Sequence, residues 1–233
     1  MMPLYEAKMI HHYDTRWATY EPDGETRYMT ESEKAAGIAS LPRYWVAEGQ
    51  VEARLQGARL DPCFAWRGIA RATDARTAIG SSVPAYPGGG NYDMVLGLGT
   101  DDACLFAAAF SSFVFDFVVR QKLSNMHLQF SVAKQLPIPS PAMRLNRNAA
   151  SWVLSRVNRL DAWIVAMDER AKVRAELDAY YFHLYGLTRD EVDYVMETFP
   201  IVKRKDEAEH GSFRTKELIL AEYDKLAAIV EGT

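Results

Sequence analysis

The chain has 233 residues, 48% hydrophobic and 25% charged, which suits one large or two small globular domains with a sizeable core. A formal net charge of -4 and a pI of about 5.8 exclude a globally basic nucleic-acid binder, so any grip on phosphate must come from local cationic patches. Cys63 and Cys104 form no metal spacing and no disulfide framework, which fits a reducing, cytoplasmic setting. The opening Met-Met-Pro-Leu-Tyr-Glu lacks the pattern of a secretory leader. The most apolar run, Cys104–Val119, falls short of the ~20 residues that span a bilayer and carries Asp116, so no membrane partner is expected.

In chain order, Leu4–Ile10 alternates loosely and reads as a strand, followed by His11-His12-Tyr13-Asp14-Thr15-Arg16-Trp17, rich in hydrogen-bonding groups. Glu21–Gly37, with Pro22, Asp23 and Gly24, reads as a turn and exposed loop. Arg43–Val46 suits a strand end, and Ala47–Leu55 a short helix with Val51 and Leu55 at i, i+4. Phe64–Arg71 reads as a strand with Arg67, Ile69 and Arg71 on one face. A turn at Ala72–Ala75 and a return over Arg76–Pro84 would make a hairpin, setting Arg67, Arg71 and Arg76 close together with only Asp74 to offset them. Tyr86–Tyr92, with three consecutive glycines, reads as a flexible loop, and Asp93–Leu98 as a short strand.

The stretch Ala103–Pro141 organises the rest. It reads as a buried apolar helix over Leu105–Val119, a basic exit at Arg120-Gln121-Lys122, the stretch Ser124–Phe130, and then Leu136-Pro137-Ile138-Pro139-Ser140-Pro141. Ser111 and Ser112 read as close helix-packing positions. Beyond Pro141 the pattern is helical. Asn148–Asp168 spaces Trp152, Val153, Val157, Leu160, Trp163, Ile164 and Met167 at helical intervals, and a second helix runs to Tyr185 with Gly186 as its stop. Thr188 and Glu191 form a capping box for a helix over Asp190–Thr198, halted at Phe199-Pro200. Lys203–Gly211 reads as a charged loop, and Thr215–Val230 as a last helix with Leu218, Ile219, Tyr223, Leu226 and Ile229 inward. The expected fold is α+β: a mixed-sheet domain over residues 1–141 and a helical segment over 142–233.

No catalytic constellation emerges. Asp61-Pro62-Cys63-Phe64 lacks the second proline of an amino-methyltransferase tetrapeptide and has no cofactor-binding strands ahead of it, so it reads as a turn into a strand. Gly97-Leu98-Gly99 is a lone glycine pair, and the roughly 130 residues after it read as mostly helical rather than as a nucleotide fold. Pro22-Asp23 and Glu6-Ala7-Lys8 stand in the wrong order for a magnesium nuclease. Adjacent histidines in a strand would point to opposite faces, and no Cys or further His sits at ligand spacing, so His11-His12 is not expected to hold a metal.

The motif order resembles the C-terminal part of the class I adenine-N6 DNA methyltransferases of restriction-modification and phage-defence systems, type IIG enzymes included. The likeness covers nearly the whole chain. It is carried by Leu4–Ile10 with Tyr13-Asp14-Thr15-Arg16, Pro42–Val46, Trp66–Ala70, Arg76-Thr77 and Val83-Pro84. It continues through Ser111–Asp116 with Arg120-Gln121-Lys122, His127–Phe130, Gln135-Leu136-Pro137, Tyr185–Glu191, Phe199-Pro200 and Phe213–Lys216. The resemblance implies a DNA target-recognition domain with a trailing helical segment. It departs from the family in lacking the cofactor loop and catalytic tetrapeptide. It therefore implies no cofactor on this stretch, with S-adenosylmethionine belonging to a methyltransferase domain or subunit that acts as partner.

A recognition domain needs cations for phosphates and a few donors for base edges. A bidentate arginine on guanine contributes about 1–3 kcal/mol of discrimination. The expected DNA-binding residues are Lys8, His11, His12 and Arg16 at the start, Arg67, Arg71 and Arg76 on the hairpin, and Arg120, Lys122 and His127 at the exit. Local patches act locally, because the Debye length is ~8 Å at physiological salt. Arg16 and Arg120 also have structural readings, as partners of Asp14 and Asp116. The expected partner is double-stranded DNA. The alternative is a non-catalytic interaction module whose helical tail, with Trp152 and Trp163, docks on a methyltransferase. A free-standing nuclease or methyltransferase ranks last.

Overall fold

A computed structural model describes residues 1–61, 63–123, 126–138, 147–162 and 166–231. Its architecture is α+β, with three small sheets in the first half and helices in the second. The first sheet centres on β1 (Met2–Glu6). The expected strand to Ile10 stops early, and Ala7–Met9 turns as a single 3-10 turn. β2 (Ala18–Tyr20) and β3 (Thr26–Tyr28) form a hairpin, and α1 (Glu31–Ala35) follows. The segment read as an exposed loop is therefore ordered, and a side-chain network explains it. Thr30 and Glu33 close a capping box, while Arg27 bridges Glu21 and Glu33.

β4 (Tyr44–Val46) pairs antiparallel with β1, Met2 opposite Val46, and α2 (Glu48–Leu55) follows as expected, with Val51 buried. β5 (Cys63–Arg67) and β6 (Gly80–Val83) form the expected hairpin, with Ala65 opposite Ser81. β5 is the central strand of its sheet, so Cys63, Phe64, Ala65 and Trp66 are all buried rather than alternating.

The glycine stretch is a strand as well. β7 (Gly88–Gly89) pairs parallel with β1, and a Cβ at Gly88 would collide with the Tyr92 ring while one at Gly89 would crowd Leu4. The glycines serve close packing here rather than flexibility. β8 (Tyr92–Val95) completes the third sheet beside β5.

The apolar run is two helices, not one. α3 (Thr100–Ser111) and α4 (Phe113–Lys122) meet at 67°. Ser112 is extended (φ -69°, ψ 150°) and caps α4, its Oγ accepting from the Phe115 amide at 3.3 Å and donating to the Ala109 carbonyl at 2.7 Å. Asp178 takes the Phe113 amide at 2.7 Å, so two side chains satisfy the buried start of α4. No single helix among the described residues is long and apolar enough to cross a membrane.

α5 (Phe130–Ala133) is short. Residues 139–146, with the expected boundary at Pro141, fall outside the described residues, as do Pro62, Ser124, Asn125, Trp163, Ile164 and Val165. The helical part comprises α6 (Arg147–Asp161), α7 (Met167–Leu184), α8 (Arg189–Glu197), α9 (Pro200–His210) and α10 (Arg214–Glu231). The Thr188–Glu191 capping box opens α8 as expected. The charged loop expected at Lys203–Gly211 is instead helix α9. Pro200 sits in its first turn, where the missing amide costs nothing, and Gly211 (φ 80°) closes it.

Val153, Val157 and Leu160 are buried as the spacing predicted, whereas Met167 is half exposed. Ile219 and Tyr223 face inward with Leu218 and Leu226 beside them; the Ile229 side chain falls outside the described residues. These helices share one core with Tyr13, Leu105, Phe113 and Val114 of the first half.

Candidate nucleic-acid interface

The expected cations divide into a set turned inward and a set turned outward. The inward set is built on Asp116, fully buried in the first turn of α4. Arg76 Nε donates to its Oδ2 at 2.8 Å, Arg120 Nε to its Oδ1 at 3.1 Å, and the Thr77 amide to its Oδ2 at 2.9 Å. Arg76 also donates to the Ser111 carbonyl at 2.5 Å, and Arg120 to the carbonyls of Asp74 and Ala75 at 2.8 and 3.1 Å. Arg76 lies on the Phe113 ring and Arg120 on the Phe199 ring. These contacts bind the loop before β6 to α4 and to α9. Arg120–Asp116 is the pair expected as its structural reading.

Asp14 behaves differently from expectation. Its carboxylate pairs with buried Lys34 at 2.7 Å and accepts the Arg16 amide at 2.8 Å, while the Arg16 guanidinium donates to the Ile38 carbonyl at 3.3 Å. His11 and His12 are not in a strand, since the chain turns back from His11 to Asp14, and both line one cavity. The His11 ring lies 4.3 Å from that of Trp17, and the His12 Nδ1 is 2.9 Å from the Ser111 Oγ. Burial, reinforced by Arg67 at His11 and by Arg76 at His12, pushes both pKa values well below the usual histidine range, so both rings are neutral near pH 7. No group of three or more His, Cys, Asp or Glu side chains able to hold a metal occurs among the described residues.

The outward set surrounds two clefts that share Lys8 and Arg67. The larger, about 340 Å³, is lined by these two with Ile69, Arg71 and Asn91, and by the acidic Glu6 and Asp74. The smaller, about 200 Å³, adds Trp17, Arg27 and Tyr28. Arg67 is anchored by its Nε and Nη2 to the Ile10 carbonyl at 3.0 and 2.6 Å, which fixes the guanidinium between the clefts. Arg71 and Lys8 are exposed, and Lys8 Nζ sits 4.8 Å from the Tyr20 ring centre. The Tyr28 ring is 71% exposed and its centre is 5.3 Å from that of Trp17, an aromatic surface beside the cations.

The exit segment joins this face through the backbone. Ala70 donates to the Met126 carbonyl at 2.9 Å and Leu128 to the Gly68 carbonyl at 2.8 Å, pairing Ile69 with exposed His127. Lys122 is exposed at the end of α4. The hairpin thus brings Arg67 and Arg71 to one cleft and sends Arg76 elsewhere. Sequence reasoning missed Trp17, Arg27, Tyr28 and Asn91 on this face. The alternation Thr26-Arg27-Tyr28 was the available signal, obscured by the polar stretch around it.

No protein family, curated protein or solved structure matches this chain.

Proposed function

We propose that this chain is the DNA sequence-recognition portion of an adenine-N6 DNA methyltransferase of the restriction-modification type, gripping duplex DNA for a methyltransferase domain that this stretch does not contain. The observation that carries the reading is the outward face. Lys8, Arg67 and Arg71 converge on adjoining clefts, with His127 joined to the same edge and the Tyr28 ring beside it. Exposed cations bind phosphate, an anchored arginine between clefts suits a base edge, and an exposed ring suits stacking. Arg76, Arg120 and His12 take a different role in this reading. Arg76 and Arg120 hold the hairpin and α4 in place, and His12 meets Ser111 at the end of α3, so that together they present the outward face.

Selection from a randomised duplex pool tests the proposal. Enrichment of a short motif, lost in Arg67→Ala while the fold persists, is the expected result. Uniform recovery of all sequences, or none, contradicts it.

The interaction-module reading draws on a different surface than the helical tail. Trp152 packs on Tyr180 and Arg156, and the tail buries its apolar side chains within this chain. Exposed Ile38, Leu41, Tyr44 and Trp45 instead favour docking near β4. Retention of methyltransferase association in Trp45→Ser would count against that surface.

A further inference from the structure

Between the turn at His11–Tyr13 and helices α7 and α10 lies a cavity of about 230 Å³, lined by both histidines, Tyr13, Arg76, Ser111 and Arg174, with Asp178 at its wall. It shares no lining residue with the two outward clefts. We propose that this cavity binds a small oxyanion of the phosphate class, held by Arg174, the His12 imidazole and the free edge of Arg76. The inference is independent of the DNA-recognition reading.

Three observations carry it. Arg174 makes no hydrogen bond or ion pair among the described residues, and its Nε is buried without a hydrogen-bond partner. Asp178, one turn further along α7, does not pair with it; its Oδ1 is occupied by the Phe113 amide at 2.7 Å. His12 is 4% exposed, and with Nδ1 against the Ser111 Oγ its Nε2 has no partner. Arg76 uses Nε on Asp116 and Nη2 on the Ser111 carbonyl, leaving Nη1 without a hydrogen bond among the described residues.

The charge around the cavity is unbalanced in the same direction. Asp116 serves both Arg76 and Arg120, and the two carboxyls whose charge reaches Arg174 are committed elsewhere, Asp14 to Lys34 and Asp178 to a helix start. Arg174 is half-buried with its Nε fully enclosed and unpartnered; such a group is costly to leave unmet, and an oxyanion that accepts from it replaces that cost with charge-assisted hydrogen bonds. A metal cation finds no carboxylate cluster here, and an uncharged ligand leaves Arg174 unanswered. Neutral His12 can present its Nε2 proton to the anion, provided Nδ1 accepts from the Ser111 hydroxyl.

The test is thermal unfolding of the full chain in inorganic phosphate and, separately, in adenosine 5′-monophosphate, with sodium chloride holding ionic strength constant. Ligands that bind only the folded state raise Tm, so a rise of about 3 °C or more at about 10 mM phosphate is expected. Arg174→Gln should abolish the rise while leaving Tm in chloride unchanged or higher, whereas a purely structural Arg174 would lower Tm in chloride. A stronger response to the mononucleotide assigns the site to a phosphate ester, and an equal or weaker one to the free anion. If Arg174→Gln does not fold, calorimetric titration of the wild-type chain with phosphate decides. Saturable binding of a single phosphate supports the site. No heat, or no Tm change in either ligand, overturns it.

Discussion

Arg67 and Arg76 begin as equivalents, two arginines on the arms of one hairpin, and end in opposite roles. Arg67 is pinned by a backbone carbonyl and keeps its edge at the outward clefts; Arg76 is drawn under the sheet by a fully buried aspartate. The difference lies in what each strand meets. β5 leaves the sheet at Arg67 beside a carbonyl, which cannot neutralise a charge, whereas the chain before β6 meets Asp116 on α4. A carboxylate placed in the core converts arginines into struts, and arginines beyond its reach remain available to an outside partner.

The largest effect expected from breaking this comparison is at Asp116. Asp116→Ala leaves Arg76 and Arg120 without their shared anion, and losing one member of a buried pair costs about 3–5 kcal/mol. Urea unfolding should show a loss of that size; a change below about 1 kcal/mol would mean that the arginines are solvated rather than struts. Gly88→Ala follows, because the new methyl meets the Tyr92 ring in a parallel strand pair, and overpacking of this kind costs about 1–3 kcal/mol. A neutral or stabilising result by thermal unfolding would return the segment to a loop.

Asp178 sharpens the comparison through pH. Burial, its largest influence, raises its carboxyl to about 6, against the Arg76 charge and the Phe113 amide, which lower it. With a folded pKa above the unfolded value near 3.8, the native state binds more protons between those values. Stability from this group is then present at low pH and lost as pH rises through about 6. The neutral isostere Asp178→Asn should match the wild type near pH 4 and exceed it at pH 7 by on the order of 2–3 kcal/mol. His11 and His12, with lowered pKa values, act in the opposite sense and are present in both proteins, so the difference isolates Asp178. A deficit in Asp178→Asn that grows as pH rises through about 6 would show the carboxylate to be a needed charge.

Much of the fold was legible because local chemistry and tertiary packing agree. The β5–β6 hairpin, α2, the capping box at Thr188 and the inward residues of α10 all follow from spacing and turn residues. The failures share a physical cause. Ser112 looks like a small packing residue in an apolar run, yet its hydroxyl caps a new helix because Asp178, far away in sequence, takes the amide beside it. Gly88 and Gly89 look flexible until Tyr92 is folded onto them. Pro200 looks like a stop and is a start, since only the preceding chain direction separates the two. Of the candidate interface, the cations were legible from sequence but their direction was not, because that depends on where Asp116 and the Ile10 carbonyl arrive.

The smallest effects on stability, and the most telling on function, belong to the outward set. Lys8→Ala and Arg71→Ala remove exposed side chains and should change stability by no more than about 0.5 kcal/mol. Each should weaken duplex binding several-fold and flatten its salt dependence by about one phosphate contact.

The most direct test of the account is the salt dependence of duplex DNA affinity for the wild-type chain and for the Lys8→Ala/Arg71→Ala pair. Wild-type affinity should fall on the order of 10²-fold between about 50 and 200 mM salt, and the double variant, folded as well as the wild type, should show a slope shallower by about two. Equal slopes for the two proteins, or affinity insensitive to salt, would contradict the assignment of this face to DNA.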